Sequence, residues 1–258
     1  MEDVKRSTVS RRVHILELLN RNGQVDVGSL SRELNVSEVT IRNDLTRLEQ
    51  KNLLIKARGG ALKVERVATD FSIRDKNRQH QEEKQRIGKA AAALIEAGET
   101  IILDSGTTTM EVARHLDNNH PLTVITNALN IAEQLSEHLN LNVMVPGGVL
   151  RKNSLSLVGS TAETGFRSYF CDKLFLAVDG FNIEHGLSTP NVEEAHLNRI
   201  MIEISRQVVV VADSSKFHKR SFAFIAPINK VDVLVTDSGI LPEDQKKLET
   251  LGIRVIVA

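Results

Sequence analysis

From residue 85 onward the chain repeats one pattern, and that pattern restricts its fold more than any other feature. Apolar, β-branched runs occur at 100–104, 122–126, 141–145, 173–178, 207–213, 231–236 and 252–257. Helical patterns lie between them, near 85–97, 108–117, 128–139, 191–206 and 242–251. A strand with one wet face alternates apolar and polar residues, whereas these runs are nearly continuous and predict burial on both faces. Parallel strands need long crossovers, and the intervening helices supply them. Residues 85–258 are therefore expected to form an α/β domain around a mostly parallel sheet.

The first quarter reads differently. Residues 10–22 keep helical spacing through Val13, Ile15, Leu16 and Leu19, and Gly23 ends the run. A short helix is expected over 27–34, with Leu30 and Leu34 four apart. Ser37 suits an N-cap, and residues 38–51 place Ile41, Leu45 and Leu48 on one face. An apolar stretch from Leu53 then meets Arg58-Gly59-Gly60 and Ala61-Leu62, which predicts a small hairpin. Three short helices and a hairpin describe a winged helix-turn-helix over 1–63. Residues 64–84 are polar and charged and read as a linker entering a helix. At ~100–200 residues per domain, 258 residues accommodate both units.

The net charge is zero, but unevenly distributed. Residues 1–66 hold 13 Lys/Arg against 9 Asp/Glu, and the rest holds 20 against 24. The smaller, basic segment is where nucleic acid would be met. Opposite the buried stripe of the third helix, at about 100° per residue, lie Val39, Asn43, Thr46 and Gln50, flanked by Thr40, Arg42 and Arg47. Amides, hydroxyls, guanidiniums and an apolar patch are the groups that read base edges in the major groove. Arg58, beside the wing glycines, is placed to meet phosphate or the minor groove. Singly, each is better read as a solvated side chain; together they favour DNA.

In the second unit Asp104-Ser105-Gly106-Thr107-Thr108-Thr109 follows a strand and opens a helix. Such a turn offers amides and hydroxyls at a positive helix N-terminus, which suits phosphate. It is neither a G-x-G-x-x-G nor a Walker A loop. Further polar clusters sit just past strand ends: Thr126-Asn127, Gly147-Gly148 with Arg151, Asp179-Gly180, and Asp213-Ser214-Ser215-Lys216. Ligands of open parallel sheets bind outside the carboxyl ends of strands. Each cluster alone is equally a cap or a turn; five together favour a pocket the size of a sugar phosphate.

Ser37-Glu38-Val39-Thr40-Ile41-Arg42-Asn43-Asp44-Leu45, then Leu48-Glu49 and Arg58-Gly59-Gly60-Ala61, closely resemble the DeoR family of bacterial transcriptional repressors, whose motif is V-S-x-x-T-I-R-x-D-L followed by L-E and G-G-A. The resemblance implies that Ser37, Thr40, Arg42 and Arg47 belong to the DNA-reading helix. Asn43 departs from the commonest basic residue there. Asp44 is open to two readings, a DNA contact or a partner that orients Arg47. The resemblance continues through I-L-D-S-G-T-T-T, T-N, P-G-G, the segment Arg151 to Glu163, D-G and D-S-S-K-F. It implies an effector domain similar in fold to ribose-5-phosphate isomerase and glucosamine-6-phosphate deaminase. Ser105, Gly106, Thr107 and Thr108, next to Asp104, would hold a phosphate; Asp179 and Lys216 would face the sugar; Asn127, Gly148 and Arg151 would line the pocket. Glu194 points inward or lies on a helix surface. The strings TIRNDL, ILDSGTTT, EEAHLNRIM and DSSKF are nearest to the subgroup regulating N-acetylgalactosamine and galactosamine catabolism.

The expected protein is thus a DNA-binding repressor of a sugar operon, controlled by a phosphorylated sugar and acting as a homo-oligomer on a double-stranded operator. The rival is a sugar-phosphate isomerase or deaminase fused to a DNA-binding module, with Asp179 and Lys216 as acid and base. No cofactor is expected. A metal site is not expected either, since the eight histidines lack ligand spacing. Cys171, the single cysteine, reads as a small buried residue. No apolar run approaches the ~20 residues of a membrane span, and Met1–Arg12 lacks the apolar core of a signal peptide, so a cytoplasmic location is expected.

Overall fold

Whether each strand buries both faces is tested by where alternate residues go. In a computed structural model, which describes residues 8–22, 24–50, 53–57, 59–63, 70–117 and 120–258, the chain forms two compact units, Met1–Arg66 and Val67–Ala258.

The first unit contains α1 (Thr8–Asn22), β1 (Gln24–Asp26), α2 (Val27–Leu34), α3 (Glu38–Gln50), β2 (Leu54–Ala57) and β3 (Gly60–Lys63). Its core joins Ile15 and Leu19 of α1, Val27, Leu30 and Leu34 of α2, Ile41, Leu45 and Leu48 of α3, and Leu54 and Ala61 of the hairpin. The α1 stripe runs through Ile15 and Leu19, and Val13 is half-exposed. Asp26 caps α2 by accepting from the Ser29 amide at 2.9 Å, and Asn35, in the left-handed region at φ 50°, ends it. The hairpin β2–β3 is present, and β1 adds to it antiparallel, in the order β1-β3-β2. Three residues are too few for β1 to show a period. A Cβ on Gly60 would lie 2.0 Å from the Val25 carbonyl oxygen, so the third strand requires glycine there.

The second unit opens with α4 (Ile73–Asn77) and α5 (Gln81–Ala92). Then follow β4 (Thr100–Leu103), α6 (Thr107–Arg114), β5 (Leu122–Thr126), α7 (Leu129–Leu135), β6 (Leu141–Met144), β7 (Val149–Arg151), β8 (Ser156–Val158), α8 (Ser160–Phe166) and β9 (Cys171–Leu176). The chain ends with β10 (Gly180–Asn182), β11 (Gly186–Thr189), α9 (Val192–Glu203), β12 (Ser205–Val211), β13 (Ala223–Ala226), β14 (Val233–Thr236), α10 (Pro242–Thr250) and β15 (Arg254–Val257).

All seven expected apolar runs form one parallel sheet, in the order β15-β14-β12-β9-β4-β5-β6. Alternate residues enter two separate cores. Ile101, Leu103, Val124, Phe175, Val209 and Val211 pack with α5, α6 and α7. Ile102, Ile125, Leu174, Leu176, Val208 and Val210 pack with α8, α9 and the antiparallel sheet β10-β11-β13. Cys171 belongs to the second core, and burial pushes its thiol up to about 11. The three-stranded sheet and the β7–β8 hairpin lay outside the sequence pattern, because their strands are only three or four residues long.

Of the linker expected over 64–84, residues 64–69 lie outside the described residues, residues 77–82 are exposed, and residues 70–76 and Lys84 pack on the second unit. The Ile73 amide donates to the Asn153 carbonyl at 2.7 Å, and Lys84 is buried with its Nζ donating to the carbonyls of Lys76 and Gln79, each at 2.6 Å.

Candidate DNA interface and anion cleft

The α3 helix carries the first candidate surface. Ser37 starts it: its Oγ accepts from the Thr40 amide at 3.2 Å and lies 2.9 Å from the Thr40 hydroxyl. Ile41, Leu45 and Leu48 face the core. Val39, Arg42, Asn43 and Arg47 are exposed, and Thr40 and Thr46 are half-buried beside them. The predicted reading face is therefore a single exposed surface. Arg42 is held by Glu38 one turn earlier at 2.8 Å, a contact it can exchange for a base edge at little cost because the pair is exposed. Lys56 of β2 donates to the Thr46 hydroxyl at 3.0 Å and adds a cation to this face. Its place there follows from the hairpin packing, which the sequence spacing does not reveal. Arg58 lies outside the described residues.

Asp44 does not orient Arg47. It is buried and accepts from Arg11 Nε at 2.5 Å and Arg12 Nε at 2.7 Å, both on α1. Position 44 lies one turn from Ile41 and Leu48, on the core side of α3, so its carboxylate ties the reading helix to α1.

The second surface is a partly open cleft. It lies outside the carboxyl ends of β4 and β9, where the strand order reverses from β4-β5-β6 on one side to β9-β12-β14-β15 on the other. Loops diverge at such a switch point and leave a crevice. Asp104, Ser105, Gly106, Thr107 and Thr108 line it from β4 and α6, Asp179 from the loop after β9, Lys216 from the turn after β12, and Arg151 from β7.

The α6 N-terminus opens into this cleft. No side chain caps it, and Met110 is the residue whose amide closes the first turn onto the Gly106 carbonyl at 3.1 Å. The preceding amides make no bond within the helix and carry the positive end of its dipole. Gly106 is needed for close approach: a Cβ there would lie 2.5 Å from Ala177 Cβ.

Charged groups meet across the cleft. Lys76 Nζ sits 2.8 Å from both Asp179 oxygens, and Lys216 Nζ lies 3.9 Å from the same carboxylate. Burial would raise Asp179, but the two ammonium groups outweigh it and hold its carboxyl below the usual range. Arg151 pairs with Asp70 and, at 3.0 Å, with Glu194. Glu194 is thus an inward-facing residue; Thr189 donates to it at 3.3 Å, and Asn191 accepts from its amide at 3.0 Å as the cap of α9. Asp104 is pushed well above the usual carboxylate range by burial and then by the nearby Glu194 charge. With its amide nitrogen turned toward the acceptors, Asn198 donates to Asp104 Oδ1 at 3.2 Å.

Two expected lining residues are elsewhere. Asn127 is buried, with its amide donating to the Leu157 carbonyl at 3.2 Å, which ties β5 to the β7–β8 hairpin. Gly148, at φ +130°, packs against Val158 and Ala162, where a Cβ would lie 2.8 Å from the Val158 oxygen. Both follow strands that end beside the hairpin, so strand-end position alone misassigned them. The sequence reading missed Lys76, Asn153, Ser154, Thr189 and Asn198, which also line the cleft. No strand-end motif marks these positions. Among the described residues, no group of three His, Cys, Asp or Glu is arranged to hold a metal ion, and no helix is long and apolar enough to cross a membrane.

Comparison with known proteins agrees with this division. A DeoR-like helix-turn-helix domain model matches residues 11–67, and a DeoR C terminal sensor domain model matches 79–238. The chain is 39% identical over 252 residues to an Escherichia coli O157:H7 protein named "Putative aga operon transcriptional repressor", covering 97% of this chain and 94% of that one. It is 36% identical over 246 residues to the HTH-type transcriptional regulator GlpR of Haloferax volcanii, covering 95% and 96%. It is 38% identical over 229 residues to the HTH-type transcriptional repressor GlcR of Bacillus subtilis, covering 88% and 87%. Among solved structures, ribose 5-phosphate isomerase A from Methanocaldococcus jannaschii aligns with a TM-score of 0.38 at 17% identity, over 54% of this chain and 55% of that one. With both domain models matched in order and relatives aligned along nearly the whole length, the chain belongs to the DeoR family.

Proposed function

We propose that this protein represses a sugar-catabolic operon and is controlled by a phosphorylated sugar. The observation that carries the reading is the uncapped α6 N-terminus sharing one cleft with Arg151, Lys76 and Lys216, on a chain that also carries a winged helix. Amides at a helix N-terminus and converging cations suit a phosphate. Asp179, Glu194, Thr189 and Asn198 suit the hydroxyls or amine of a sugar. The family supports regulation, and the aga, GlpR and GlcR relatives are named as regulators. The strings TIRNDL, ILDSGTTT, EEAHLNRIM and DSSKF support an amino sugar as the effector class.

In this reading Ser37, Thr40, Arg42, Asn43, Thr46, Arg47 and Arg58 meet the operator. Asp104, Ser105, Gly106, Thr107, Thr108, Arg151, Asp179 and Lys216 meet the effector. Residues 1–63 form the DNA-binding domain, and residues 70–84 belong functionally with the sensor that follows. A homo-oligomer would engage paired half-sites, since one small module neutralises few phosphates. The effector shifts the balance between DNA-competent and incompetent states only by its differential affinity for them.

Fluorescence anisotropy on DNA from upstream of the neighbouring genes, titrated with hexosamine and hexose phosphates, tests the proposal. One phosphorylated sugar should release the protein where its unphosphorylated form does not. Substituting Thr107 and Thr108 by Val should remove that response while DNA affinity is retained. Equal responses to both sugar forms would overturn the phosphate assignment, and Lys216-dependent turnover of a sugar phosphate would restore the enzyme reading.

A further inference from the structure

The cleft is already occupied by carboxylates of its own chain, and one of them arrives on the segment leading from the DNA-binding unit. Asp70 pairs with Arg151, and its carboxylate also accepts from Asn153 Nδ2 at 3.0 Å. The same segment is fixed to the cleft rim by the Ile73 amide on the Asn153 carbonyl at 2.7 Å and by Lys76 on Asp179 at 2.8 Å. Phe71 and Ile73 complete that wall. Lys84 then ties the carboxyl end of α4 to α5 through the Lys76 and Gln79 carbonyls. Residues 70–77 therefore form a strap, pinned at both ends by ion pairs inside the cleft.

The charges are balanced before any ligand enters. Arg151, Lys76 and Lys216 face Asp70, Asp179 and Glu194. A phosphate that reaches Arg151 competes with Asp70 and Glu194, which already engage both of its terminal nitrogens. Glu194 is the harder to move, being fixed on the first turn of α9 by its cap and by Thr189. Asp70 precedes α4 and is held by side chains of the β7–β8 hairpin.

We infer that Asp70 is an internal stand-in for the effector's anionic group, and that an anion taking Arg151 releases the 70–77 strap. The inference rests on the cleft being the effector site. Asp70 lies four positions after Arg66, the last residue of the N-terminal unit, so the strap adjoins the connection between the two units in sequence. The effector's apparent affinity is then reduced by the fraction of molecules in which Asp70 holds Arg151.

The test uses the full chain, with inorganic phosphate as the probe and chloride at matched ionic strength as the control. Phosphate affinity is read by ³¹P NMR, and strap docking by hydrogen exchange of residues 70–77. Asp70→Asn should bind phosphate at least threefold more tightly and exchange the strap amides at least threefold faster without ligand. In the unmodified protein, phosphate should produce a comparable acceleration in the strap while β14 stays protected, and Asp70→Glu should restore the original behaviour. Phosphate binding with equal affinity to the unmodified protein and Asp70→Asn, with strap exchange unchanged, overturns the inference and leaves the effector-site reading standing. Failure of both proteins to bind phosphate overturns both readings.

Discussion

Replacing Asp44 by Ala separates two roles that the sequence left open. The Asp44 carboxylate is 2% exposed and holds two arginines of α1, of which Arg11 is 8% exposed. Removing it leaves a buried guanidinium without its counter-charge. Breaking a buried pair in this way costs about 3–5 kcal/mol. A unit of this size is stable by only roughly 3–10 kcal/mol at ~0.05–0.15 kcal/mol per residue, so the loss is a large share of the total. At ~1.4 kcal/mol per tenfold change in an equilibrium constant, opening of α3 should become roughly 100- to 4000-fold more frequent. Hydrogen exchange of α1 and α3 peptides in the full chain reads this directly, with β9 and β12 as internal controls. Arg47→Ala, at an exposed position, should leave the same peptides within about 0.5 kcal/mol of the original while lowering DNA affinity. A structural role for Asp44 is refuted if Asp44→Ala leaves α3 protection within about twofold of the original. It also fails if Asp44→Ala and Arg47→Ala are non-additive in DNA affinity at unchanged stability, because that pattern would make Asp44 the group that orients Arg47.

Two further outcomes follow from the geometry. Gly60→Ala should destabilise the wing by more than about 2 kcal/mol, because its Cβ would sit 2.0 Å from the Val25 oxygen; thermal unfolding should show the loss, and an unchanged midpoint would contradict the strand pairing. Asp104 keeps its proton in the folded state at pH values where an unfolded aspartic acid has lost it, so stability of the second unit should fall as pH rises above the unfolded value of about 4. Asp104→Asn should flatten that dependence in urea titrations between pH 4 and 7, and an identical slope in both proteins would refute the assignment.

Most elements that carry the two surfaces were legible in the sequence because each has a strong local signature. The stripe Ile41, Leu45 and Leu48 fixes which side of α3 faces water. The run Asp104 to Thr108 declares a strand-to-helix turn with hydroxyls and a glycine at the point of close approach. Asn127 and Gly148 carried the same kind of signature, after a strand and beside small residues, yet serve the β7–β8 hairpin. A strand end reports only that a side chain is near the ligand-binding edge. Which way it points depends on the neighbouring hairpin, whose short strands have no period to read.

The sequence alone determined the architecture: apolar runs spaced by helical patterns fold as one parallel sheet, and a basic three-helix segment with a glycine hairpin folds separately from it. It also determined the type of chemistry at each surface, because helix face and strand end follow from residue spacing. Tertiary structure decided the partnerships. Asp44 binds α1 because the helices cross there, at a separation of 33 residues from Arg11. Arg151 is engaged by Asp70 from 81 residues away, and Asp179 by Lys76 from 103. Ion pairs of such separation have no period and no local pattern. They exist only once the sheet has brought distant loops to one edge, and for that reason residues 71–76, within the segment that reads as a linker in the sequence, form a wall of the cleft.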